Sequence, residues 1–145
     1  MSNALLFLFV ACAGAMVAIQ PSVNAHLAEK IGVVEAACVS FSVGALSLAF
    51  LSLCVGNGSW RGLGTTVWWE WTGGLMGACF VSAMILAVPR IGTAAALATV
   101  IAVQLITGLA LDAYGFFGFR SVPLDWRRGL GCLLLIAGAA LVSRR

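Results

Sequence analysis

The chain has 145 residues, of which 62% are hydrophobic and 9% charged. Soluble domains carry about 25% charged residues, so this surface is too poor in charge to face water, and its solvent is lipid. The net charge of +3 is spread along the chain without a basic patch, which excludes nucleic acid as a class of partner.

A helix that crosses the hydrocarbon core needs about 20 apolar residues. Lipid offers no partner to a backbone N–H or C=O, so each such run must be helical. Five runs qualify, which predicts an all-α integral membrane protein with a single transmembrane domain over residues 1–145. The first span covers about 4–27 and carries Pro21, which is expected to kink it by removing a backbone donor. It lacks the cationic start of a cleaved signal peptide, so it is read as a span. His26 to Lys30 reads as a short polar hinge, and the second span follows over about 32–55. A Gly-rich loop, 57–66, leads to Trp68, Trp69 and Trp71, an aromatic cluster of the kind that marks a membrane interface. The third span is expected over about 69–88, a tight turn at Pro89-Arg90, and the fourth span over about 91–113. The longest loop runs from Tyr114 to Asp125, and Trp126 repeats the interfacial signal before the fifth span, about 128–143.

Orientation follows the excess of Lys and Arg on the cytoplasmic side. Five spans place Arg61, Arg120, Arg127 and Arg128 on one side and Lys30, Arg90, Arg144 and Arg145 on the other. Four cations oppose four, so no orientation is favoured. Insertion both ways up is the expectation, with copies pairing as an antiparallel, inverted homodimer of ten helices. A single topology set by a partner or by the uncharged flanks is the alternative. Inverted repeats are a common frame for secondary transporters, with the substrate bound near the midplane.

Enzyme signatures are absent: there is one histidine, His26, and no nucleophile elbow, zinc motif or phosphate loop. The five cysteines, all in apolar runs and without metal-ligand spacing, read as small packed hydrophobes. Neither a cofactor nor a metal site is expected.

Polar residues inside spans are costly and mark pathways. Gln104 lies near the middle of the fourth span, where its amide is either a substrate ligand or a hydrogen bond between helices. Gln20 and Asn24 flank Pro21 on one face of the first span. Ser40, Gly44 and Ser47 line up on the second span, and Gly73 and Gly77 form a small-residue pair on the third, a pattern of close helix packing. Gln20, Asn24, Ser40 and Gln104 are the candidate substrate-lining residues, with Trp71 as a further one that an interfacial anchor also explains. Among the carboxylates, Glu35, Glu70 and Asp112 all sit at span ends. Glu35 is the candidate for ion coupling, although placement in the first turn of a helix explains it equally.

The residues Gln20…Asn24, Ser40-Phe41…Gly44, Gly73-Gly74…Gly77-Ala78…Val81, Pro89-Arg90-Ile91-Gly92, Gln104-Leu105, Asp112…Gly115, Pro123 and Arg128-Gly129 together resemble the YdcZ-like family. That family is part of the drug/metabolite transporter superfamily, alongside the small multidrug resistance proteins. The resemblance covers nearly the whole chain. It implies a multi-pass protein of the bacterial inner membrane, built as a half-size unit. The chain departs from the family at Ala113, where a histidine commonly follows the aspartate, and at Gly32-Val33-Val34, where a Gly-Ser-Pro turn is frequent. It also lacks the central glutamate of the small multidrug resistance proteins in its first span, so their proton-for-cation exchange does not carry over.

The expected function is therefore half of a secondary transporter, an exporter of a small molecule working by alternating access as a dual-topology dimer in the lipid bilayer. The alternative is a non-transporting membrane subunit or scaffold packed against a larger partner.

Overall fold

The computed structural model describes residues 2–115 and 121–143. Arg120, Arg144 and Arg145, three of the cations in the topology tally, lie outside the described residues. Five α-helices are present: α1 Asn3–Ile31, α2 Val33–Val55, α3 Thr72–Ile91, α4 Thr93–Tyr114 and α5 Trp126–Ser143. With the turn that leads into α3, all five are long and apolar enough to cross a membrane. No strand occurs among the described residues.

The expected hinge at His26–Lys30 is instead the last turn of α1. Nothing in that stretch breaks a helix, and a polar helix end keeps its backbone bonds. At 1.5 Å per residue, the 29 residues of α1 span about 43 Å, well beyond the hydrocarbon thickness of about 30 Å. The surplus turn carries His26, Glu29 and Lys30. The His26 imidazole lies 3.4 Å from the Glu29 carboxylate, and both are exposed.

The break comes one residue later. Gly32, at φ 98° and ψ 159°, ends α1 and starts α2 by itself: its N–H donates to Ala28 O and its carbonyl accepts from Ala36 N. That region of backbone space belongs to glycine. A Cβ there would also run into the Glu35 carboxylate, which folds back over the turn. Pro89 likewise stands inside α3 rather than at a tight turn, and the chain breaks at Gly92, at φ 86° and ψ 153°.

The chain forms two compact units, residues 1–90 and 91–145. In the first, α1 and α2 pack around the Gly32 turn. Ala36, Ala37, Val81 and Ile85 form a small core, with Leu27, Ala28, Val33 and Phe80 against it. Alanine at the contact lets helices approach closely. Gly77 does the same on α3, where the Phe41 ring lies 3.1 Å from the place a Cβ would take. Most other apolar side chains point outward, Leu53 being 84% exposed and Phe7 75%. Lipid or another protein is the only medium that suits such faces. Four of the cysteines are on these outer faces and Cys132 is buried, all as free thiols.

Between α2 and α3, residues 60–65 and 68–71 form 3-10 turns. Glu70 accepts from the Val67 N–H at 2.8 Å, Trp71 donates its indole N–H to Thr66 Oγ1 at 2.9 Å, and Thr72 Oγ1 donates to Trp69 O at 2.7 Å. The first of these satisfies a backbone donor that a helix start leaves open, and the other two tie side chains across the turn. The 3-10 turn at 68–71 stands at the expected start of α3, which begins at Thr72, three residues later.

In the second unit α4 packs on α5. Gly115 closes α4 in the left-handed conformation, its N–H on Leu111 O, the usual glycine stop. Val122 N then donates to Asp112 O at 2.9 Å, which returns the loop to the end of α4. Asp125 accepts from Arg128 N at 2.8 Å and starts α5 two residues earlier than expected.

Candidate functional site

Asn24 is the one buried polar residue among those described, 5% exposed, and its Nδ2 has no hydrogen-bond partner. Orphaned amides of this kind cost about 1–3 kcal/mol. It lies three residues after Pro21, which is also buried. Having no N–H, Pro21 cannot serve the carbonyl of Val17 one turn earlier. Gln20, Pro21 and Asn24 from α1 and Phe80, Val81 and Met84 from α3 line one narrow cleft. The cleft leaves no room for a water molecule in this conformation. No titratable residue lines it.

Of the residues singled out from the sequence, Gln20 and Asn24 are thus brought together. Ser40 is half-buried on α2, a turn beyond the Ala36–Ala37 core, and is not among the residues of that cleft. Trp71 is exposed and held by Thr66 at the head of α3. Glu35 is exposed in the first turn of α2.

Gln104 lines a cavity of about 520 Å³ in the second unit, together with Gly108, Asp112, Arg128, Cys132 and Leu135. Its outer end holds an ion pair between Arg128 Nη2 and Asp112 Oδ2. The second terminal nitrogen of Arg128 is buried and unpaired. Sequence reading placed Asp112 at a helix end and counted Arg128 among the interfacial cations. It did not pair them, since sixteen residues and a loop separate the two. Their positions flanking that loop, on facing helix ends, were the available signal.

No cluster of metal-binding side chains occurs among the described residues. Each unit thus places polar groups inside or beside apolar helices: the amides of Gln20 and Asn24 in the first, the Gln104 amide and the Asp112–Arg128 pair in the second.

No solved structure matches the chain. A family profile described as "Putative inner membrane exporter, YdcZ" matches residues 5–141. Inner membrane protein YdcZ of Escherichia coli (strain K12) is 32% identical over 151 aligned positions, which cover 100% of this chain and 99% of that relative. A family match over nearly every residue, a full-length relative and five membrane-crossing helices agree: the chain belongs to the YdcZ family of inner-membrane exporter-type proteins.

Proposed function

We propose that this protein is half of a secondary transporter that exports a small molecule by alternating access. Two copies in opposite orientations pair as an antiparallel homodimer of ten helices, each chain acting as one transmembrane domain. The observation that carries the reading is Asn24, a buried amide without a partner inside a span. Such a group is costly in lipid and earns its place on a pathway. The exporter description of the family supports the direction of transport. The even split of cations, four on each side, supports dual orientation, as does the outward-facing apolar surface that awaits lipid or a second copy.

In this reading Gln20, Asn24, Ser40 and Gln104 line the path, Trp71 anchors its interfacial end, and Glu35 is the group through which an ion couples.

The test is to lock the orientation. Three lysines appended at the C-terminus bias one way up, and three inserted in the loop at 57–59 bias the other. Each locked variant alone is expected to give no antiparallel cross-link. Expressed together they are expected to restore the dimer seen with the unmodified chain. A cross-linked dimer formed by one locked variant on its own overturns the dual-topology reading.

A further inference from the structure

The two one-residue breaks in the chain are copies of each other. Lys30-Ile31-Gly32 and Arg90-Ile91-Gly92 lie sixty residues apart, and both glycines hold the same rare backbone conformation. The same offset pairs Gly14 with Gly74, Met16 with Met76, Ala18 with Ala78, Ser22 with Ser82 and Ala36 with Ala96. It also pairs the burial. Pro21, Asn24 and Ala25, the buried residues of α1, correspond to Val81, Met84 and Ile85, the buried residues of α3. Hence α1 and α3 bury the same positions at this offset.

The cleft at Asn24 follows this repeat. Gln20, Pro21 and Asn24 form one wall, and Phe80, Val81 and Met84, at the same three offsets, form the other. When equivalent positions of two repeats meet, the contact is self-complementary about a local twofold axis. Here the two walls share geometry and differ in chemistry. One carries two amides, the other is apolar throughout.

We propose that this cleft is a binding site for an uncharged solute with a hydrogen-bond acceptor on a small apolar body. The inference rests on the transporter reading above and names its substrate class. The acceptor takes the free Nδ2 proton of Asn24, and the apolar body lies against Phe80, Val81 and Met84. A charged solute is disfavoured, because no ionisable side chain lines the cleft and a buried ion without a partner is strongly penalised. The cleft has no free volume in this conformation, so a ligand enters only by parting its two walls. The present closed conformation excludes water and leaves the amide unpaired, so ligand entry supplies the bond that folding left unmade.

The experiment uses the purified full-length protein in lipid nanodiscs and four probes built on one ring: benzamide, toluene, benzoate and benzylammonium. Binding is read by calorimetric titration and by the rise of Tm with probe concentration. Benzamide is expected to bind. Toluene should be weaker by about tenfold, the weight of one hydrogen bond, and the two ions should give no shift. Asn24→Leu should lower benzamide affinity to the level of toluene without lowering the Tm of the unliganded protein. Adding Met84→Asn to that variant puts the amide at the matching position of the second repeat and should restore benzamide binding. Absence of benzamide binding overturns the proposal. Binding of benzoate or benzylammonium that disappears with Asn24→Leu overturns the substrate class and leaves the site. Benzamide binding unaffected by Asn24→Leu overturns the site itself.

Discussion

Arg128, in the first turn of α5, donates to the carboxylate of Asp112 in the last turn of α4. The pair is half-shielded, with side-chain exposures of 32% and 46%. It closes the end of the two-helix unit, beside the Val122 N–H that donates to Asp112 O. Helices in lipid gain no hydrophobic drive toward each other, so a directional bond at a helix end carries unusual weight.

Removing one partner leaves the other poorly solvated. Arg128→Leu and Asp112→Leu are each expected to lower stability by about 1–2 kcal/mol, between the values for exposed and buried pairs. The double variant should lose less than the sum. Unfolding in mixed micelles with a double-mutant cycle measures the coupling. A coupling near zero would show that the pair is incidental to stability.

Gly32→Ala and Gly92→Ala force an alanine into glycine-only backbone space. Each is expected to cost about 1–3 kcal/mol. The loss at Gly32 should be the larger of the two, since the Glu35 carboxylate also occupies the space of the new methyl group. Adding Glu35→Ala should recover part of that loss, while the penalty at Gly92 stays unchanged. Thermal melts of the four variants decide this.

Gly77 faces the Phe41 ring at a distance that leaves no slack. Gly77→Leu should overpack the α2–α3 contact and cost about 1–3 kcal/mol. Pairing it with Phe41→Ala should return most of that. Equal stability of Gly77→Leu and the unmodified chain in a melt would mean that the two helices do not pack through this position.

The Gln104 side chain makes no hydrogen bond among the described residues and lines a cavity. Gln104→Leu is therefore expected to leave the Tm of the purified protein unchanged. A residue acting as hydrogen-bonded glue between helices would cost about 0.6–2 kcal/mol on the same change. A fall of that size, read together with the cross-linked dimer fraction, assigns Gln104 to assembly rather than to the pathway.

Much of the candidate site was legible in the sequence because lipid makes polar residues conspicuous. Gln20 and Asn24 stood out against an apolar run, and proline between them marked an irregular turn. Their partner wall was not legible. Phe80, Val81 and Met84 are ordinary span residues, and only packing distinguishes them from their neighbours on α3. The helix ends were misplaced where polarity stood in for geometry. His26–Lys30 is polar yet helical, while the true stops at Gly32 and Gly92 are set by backbone dihedral angles.

The amino-acid sequence by itself determined the medium, the number of spans and the even split of cations between the two sides. Those depend on transfer free energy and on charge counts, which are sums over residues and need no coordinates. Tertiary structure alone decided which amide is stranded, that Arg128 meets Asp112, and that α1 and α3 meet at equivalent positions. Each of these depends on distance and direction between residues far apart in the chain, and a sum over composition carries neither.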